Sequence, residues 1–188
     1  MSRRILILEE GDAHSPLEIT AGCLGIATLC SITLDGLLMK KGIPVNTSFA
    51  GVLEVREGLM ATFTDLIAYA GSSLDPMRVF MARRVTRVAD AISRGEGRIL
   101  ANVREVPITA LELASSLLEQ SRVAGFGGLI EVGDPAEPIL GCPVGSGKIG
   151  IAFCAGVNGA VAADELGVKI KTAPISLLVD YSTMSELK

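Results

Sequence analysis

Aromatic residues are scarce: the 188-residue chain has two tyrosines, five phenylalanines and no tryptophan. Its core must therefore be filled by Val, Ile, Leu and Ala, a usage that suits a sheet covered by helices. Histidine is scarcer still. The single one, His14, falls in an N-terminal loop, so a Ser/His/Asp or Cys/His catalytic arrangement lacks a well-placed base. The four cysteines, Cys23, Cys30, Cys142 and Cys154, form no C-x-x-C pair, which argues against a zinc site or a disulfide framework and fits a reduced cytoplasmic compartment. Cys30 and Cys154 sit in apolar stretches and read as inert packing. A membrane-spanning run is missing too. The longest apolar stretch, Ala21 to Met39, is broken by Asp35 and several Ser, Thr and Gly residues. The N-terminus has only four apolar residues before Glu9 and Glu10, too few for a secretory signal, and reads as an opening strand.

What is present is a chain long enough to bury roughly 70% of the surface its unfolded form exposes, with 49% hydrophobic residues. The net charge of −4 would repel a nucleic-acid backbone, but the charge is uneven. Seven arginines between Arg78 and Arg104 face only Asp90 and Glu96, a local excess of +5 that leaves −9 for the rest. The plain reading is a solvated arginine-rich helix face.

One pattern occurs twice, 125 positions apart. Gly25-Ile26-Ala27 leads through Thr33 to Gly42-Ile43-Pro44-Val45, and Gly150-Ile151-Ala152 leads through Asn158 to Gly167-Val168-Lys169-Ile170. Each copy reads as strand, helix, strand, with Thr33 and Asn158 at the matched helix starts as N-caps. A second echo relates Phe49–Val55 to Phe126–Val132. The class expected is α/β in the α+β sense, with mixed sheets and helices packed on them, built from repeated strand-helix-strand units. Nothing resembling a linker divides the chain, so it reads as one domain over 1–188, with pseudo-symmetric halves at about 1–95 and 96–188.

Between the repeats, Val52 to Leu66 reads as a hairpin turning at Glu57-Gly58. Asp75-Pro76 opens a helix that Gly95 closes, with Met77, Phe80, Met81, Val85, Val88, Ala91 and Ile92 as its apolar stripe. Arg98 to Val106 is a strand ended by Pro107. Thr109 and Glu112 have capping-box spacing for a helix that stops near Gly125, and the Phe126–Val132 strand follows at once. Ile175 to Tyr181 reads as a final strand.

Gly145-Ser146-Gly147-Lys148-Ile149-Gly150 satisfies G-x-G-x-x-G but is followed by a strand rather than a helix. Cys142 and Ile149 occupy positions where a phosphate loop needs Gly and Ser/Thr. It reads as a hairpin turn. The remaining chemistry is a set of helix N-termini and Arg104 on a strand, which together suit a small dianion; the alternative at each position is ordinary capping or internal pairing.

The stretch Ala27-Thr28-Leu29-Cys30-Ser31-Ile32-Thr33-Leu34-Asp35-Gly36 resembles part of a known family, as do Gly71-Ser72-Ser73-Leu74-Asp75-Pro76, Ile99 to Pro107, and Pro143-Val144-Gly145-Ser146-Gly147-Lys148-Ile149-Gly150-Ile151. In this order, across roughly Leu17 to Tyr181, they resemble the regulatory domain of the NrpR-type archaeal nitrogen repressor. The resemblance implies an effector-sensing, non-enzymatic domain of a repressor of nitrogen-assimilation genes. It implies 2-oxoglutarate as effector, no cofactor or metal, a homodimer or higher oligomer, and DNA contact only through a winged helix that these 188 residues lack. Ligand contacts are expected from Arg104, Ser72 and Ser73, with Thr33 and Asn158 flanking one pseudo-symmetric site. The competing readings are an enzyme acting on an oxo-acid and a purely structural dimerisation module.

Overall fold

In the computed structural model, which describes residues 4–12, 18–172 and 178–186, the strands form two sheets in which every described pairing is antiparallel. A small sheet has the order β2-β1-β8, from β1 (Arg4–Leu8), β2 (Gly25–Thr28) and β8 (Ser185–Glu186). The larger sheet has the order β4-β3-β5-β7-β6, from β3 (Asn46–Arg56), β4 (Leu59–Ala68), β5 (Gly97–Pro107), β6 (Leu129–Pro135) and β7 (Lys148–Cys154). The helices are α1 (Ile32–Lys40), α2 (Pro76–Arg83), α3 (Val88–Arg94), α4 (Leu111–Val123) and α5 (Asn158–Glu165). This is an α+β domain whose central strand, β5, is paired on both sides.

The β3–β4 hairpin forms where Glu57-Gly58 stands between two alternating runs. Both turn residues have positive φ, 51° and 76°, the combination that matches the twist of the flanking strands. Two apolar clusters cover the sheet. One joins Val52, Leu100, Phe80 and Val161; the other joins Leu34 and Leu38 of α1, Leu118 of α4, and Ile149, Ile151 and Phe153 of β7. The stacked rings of Phe126 and Tyr181, 4.4 Å apart, and the Tyr181 hydroxyl donating to the Ala124 carbonyl at 2.6 Å tie the C-terminal region to the end of α4.

Several local expectations are corrected. The helix expected from Pro76 to Gly95 is two helices. Asp75 caps the first by accepting from the Met77 amide, and Gly95 ends the second with φ 73°, as read, but Arg84 adopts a left-handed conformation between them. The cause is tertiary: Arg87 leaves the helix to bridge Arg98 of β5, and the β-branched Val85 and Thr86, which lose side-chain freedom in a helix, make the break there less costly. Ile92, assigned to the apolar stripe, is 73% exposed.

Neither repeat-related residue caps its helix. The N-cap of α1 is Ser31, without a side-chain cap bond, and that of α5 is Val157. The capping box at Thr109 does not form either, because a 3-10 turn over Ile108–Ala110 leads into α4 and makes Ala110 the N-cap. β6 starts at Leu129, not Phe126. The repeat itself yields strand and helix in both copies but in different sheets, β2 in the small one and β7 in the large one. Only the first copy continues into a strand, since residues 167–170 have no regular structure. Of the expected final strand, 175–177 lie outside the described residues and 178–180 are irregular; His14 also lies outside them.

Candidate functional site

Strand β5 is apolar from Ile99 to Val106 except at Asn102, Arg104 and Glu105. Asn102 and Arg104 are two residues apart and so share a face. Arg104 pairs in register with Thr47 and Ile151, in the middle of the sheet, and is only 3% exposed. A buried guanidinium must be paired and hydrogen-bonded to be tolerated. Here the partners come from α1. Arg104 Nε donates to Asp35 Oδ1 at 3.0 Å and Oδ2 at 3.2 Å, and one terminal nitrogen donates to Asp35 Oδ2 at 3.1 Å and Ser31 Oγ at 3.0 Å. The other terminal nitrogen donates to Asn102 Oδ1, and the guanidinium lies 5.9 Å from the Phe153 ring centroid.

Ser31 and Asp35 are one helical turn apart, which stacks them on the face that α1 turns toward β5. The Ser31 oxygen that could have capped α1 thus accepts from Arg104. Tyr69, just past β4, belongs to the same electrostatic neighbourhood. Burial raises its hydroxyl pKa, the Arg104 charge opposes this, and Asp75, Cys30 and Asp35 add to it.

The other sequence-predicted positions separate into two groups. Ser72 and Ser73 lie in the exposed turn after Tyr69, where the Ser72 amide donates to the Tyr69 carbonyl at 3.2 Å and its hydroxyl to the Leu74 carbonyl at 2.7 Å. Thr33 is exposed in the first turn of α1, near Ser31 but outside the Arg104 network.

Asn158 is elsewhere. It is 1% exposed, and its amide brackets Leu100, accepting from the Leu100 N–H at 2.8 Å and donating to its carbonyl at 2.7 Å. It completes the β5 ladder one step beyond the end of β7, whose last register pair is Ala101 with Cys154. Leu100 is four strand residues from Arg104, about 13 Å. The segments leading into the two helices touch, with Thr28 Oγ1 donating to the Gly156 carbonyl at 3.3 Å, but the Asn158 amide is engaged by Leu100 and Thr33 is exposed, so neither side chain joins the Arg104 network.

A second polar cluster lies on the other face of β5. The Glu105 carboxylate accepts from Asn46 Nδ2 at 2.8 Å, the Gly145 amide at 2.8 Å and Lys148 Nζ at 2.7 Å. Burial pushes its pKa up, but the bonds from Lys148, Gly145 and Asn46 prevail and hold it at about 2. The glycine-rich segment is thus a turn locked by an internal carboxylate, with Gly147 at φ 73°. Cys142 is buried, and burial together with the Glu105 charge raises its thiol to about 11, which keeps it protonated and unreactive.

Sequence reasoning singled out Arg104 but not Ser31, Asp35 or Asn102. The signal was available in a lone acid on an apolar helix, four residues after a serine, and in an asparagine two positions before the arginine.

Among the described residues no cluster of His, Cys, Asp and Glu could hold a metal, and no helix is long and apolar enough to cross a membrane. The buried charge network ties α1 to the central strand β5 of an α+β domain.

The chain belongs to the family of NrpR regulatory domains NRD1 and 2, whose model matches residues 1–186. It is 42% identical over 187 residues to the global nitrogen regulator NrpRI of Methanosarcina mazei, covering 100% of this chain and 57% of that protein. It is 31% identical over 163 residues to the global nitrogen regulator NrpR of Methanocaldococcus jannaschii, covering 87% of this chain and 29% of that protein. A crystal structure of a nitrogen repressor-like protein from Methanococcus jannaschii matches with a TM-score of 0.77 at 28% identity, covering 100% of this chain and 74% of that one. The chain thus spans about half the length of the first of these relatives. It is a regulatory domain rather than an enzyme.

Proposed function

We propose that this chain is the effector-sensing and self-associating domain of a repressor of nitrogen-assimilation genes, that 2-oxoglutarate is its effector, and that DNA is contacted by a winged helix outside these 188 residues. The observation that carries the reading is the Arg104 fork, which already grips a carboxylate, that of Asp35 on α1. A ligand carboxylate offers the same chemistry, and a second carboxylate would find a donor in the Ser73 hydroxyl, joined by Ser72 if its hydroxyl exchanges the Leu74 carbonyl for the ligand. Exchange of Asp35 for the ligand would loosen α1 from β5. Since α1 packs on α4, that shift would reach a wider surface.

A ligand moves such an equilibrium only through differential affinity for the two arrangements, and a coupling of about 1–3 kcal/mol suffices. The test is calorimetric titration with 2-oxoglutarate, with glutarate and pyruvate as controls. Saturable binding that Arg104→Gln abolishes supports the reading. No heat at millimolar 2-oxoglutarate would remove it.

A further inference from the structure

The arginine-rich segment is not used by the network at Arg104, and at one point it is arranged against its own electrostatics. Arg87 and Arg98 face each other across an antiparallel bridge, in which the Arg87 amide donates to the Arg98 carbonyl at 2.9 Å and the Arg98 amide to the Arg87 carbonyl at 3.4 Å. Directly opposed residues project to one face with Cβ atoms about 5 Å apart, where two like charges repel. The approach of α3 to β5 that holds the bridge depends on Gly97, since a Cβ there would lie 2.7 Å from the Ala91 nitrogen.

The nearby acids bond to other groups. Glu54, the register partner of Arg98 on β3, bonds to Arg56 at 2.7 Å instead. Asp90 pairs with Arg94 at 3.6 Å, and Glu96 accepts the Glu57 amide at 2.7 Å. Among the described residues the side chains of Arg87 and Arg98 have no ion pair or hydrogen bond. Both line one cleft of about 390 Å³, which Arg94, Thr64 and the three engaged acids Glu54, Asp90 and Glu96 also line.

We propose that this cleft is a site for a phosphoryl oxyanion, a free phosphate or pyrophosphate or the phosphate group of a small metabolite, held between Arg87 and Arg98 with Arg94 beside them. Each guanidinium offers five donors in a planar fork. Two adjacent forks can be satisfied together by a tetrahedral dianion with three or more acceptor oxygens, whereas a single planar carboxylate fills only one. The bound charge also removes the repulsion across the bridge. The site is separate from Arg104 and does not rest on the effector reading above.

The experiment is calorimetric titration of the full chain with pyrophosphate at fixed ionic strength, with Arg87→Gln, Arg98→Gln and, as a control outside the cleft, Arg83→Gln. Saturable binding is expected, weakened about tenfold in each cleft variant, the factor one charge-assisted hydrogen bond carries, and unchanged in Arg83→Gln. Arg87 is exposed, so its variant carries the test if Arg98→Gln fails to fold. Absence of saturable heat at millimolar pyrophosphate would overturn the proposal. So would equal losses in all three variants, which would mean diffuse charge attraction, or displacement by 2-oxoglutarate, which would make the cleft the effector site itself.

Discussion

Removing the charge of Asp35 should be among the most damaging single changes in this domain. Asp35→Asn preserves shape and one acceptor but leaves the Arg104 cation, 3% exposed, facing only the neutral oxygens of Ser31, Asn102 and the new amide. Breaking one partner of a buried pair costs about 3–5 kcal/mol, because the remaining charge stays desolvated. With a urea slope near 2 kcal/mol/M, the midpoint should fall by roughly 1.5–2.5 M. Replacing both partners with apolar residues, as in Asp35→Leu with Arg104→Met, removes the stranded charge and should recover most of the loss, since such swaps are often neutral or stabilising by about 1–4 kcal/mol. The assay is equilibrium urea unfolding of Asp35→Asn and of a double-mutant cycle made of wild type, Asp35→Leu, Arg104→Met and the double variant. The loss in Asp35→Asn should also persist in 1 M salt, because a buried pair is poorly screened. A loss below about 1 kcal/mol in Asp35→Asn, or additive single effects, would refute the reasoning and mean that water reaches the pair.

Two further outcomes follow from named contacts. Asn158→Ala should cost roughly 1–3 kcal/mol by stranding the buried Leu100 N–H, whereas the Leu100 carbonyl keeps the Ala155 amide at 2.9 Å; hydrogen exchange at Leu100 should accelerate, and unchanged protection would show that the bracket is dispensable. Glu105, held at about 2 against an ordinary 4.5, contributes stability that is fully present above pH 4.5 and lost as pH falls toward 2, an amount on the order of 3 kcal/mol; the gap between wild type and Glu105→Gln in urea midpoint should therefore close over that window, and a gap independent of pH would contradict the assignment.

Features decided within a few residues of chain were legible from sequence. Asp75 and Pro76 announce a helix start because the cap bond and the fixed proline φ need no distant partner. Glu57-Gly58 announces a hairpin because few residue pairs tolerate two positive φ angles. The apolar run of β5 and the four family-like segments were likewise visible, and Arg104 stood out as the arginine inside that apolar run.

Tertiary structure decided what these local pieces meet. The repeated Gly-Ile-Ala pattern specifies a strand and a helix twice, but pairing with β1 or with β5 and β6 is a matter of which edge each strand reaches. The apolar stripe from Met77 to Ile92 has a helical period throughout, yet the bridge between Arg87 and Arg98 breaks it at Arg84. Asn158 looked like a cap because its type suits one; a ladder group on Leu100, 58 residues away, claimed its amide instead. The role of Arg104 rests on Asp35, 69 residues distant. Local hydrogen bonding and side-chain period are properties of neighbours in sequence, whereas the partner of a buried charge is set by which helix the folded sheet brings above it.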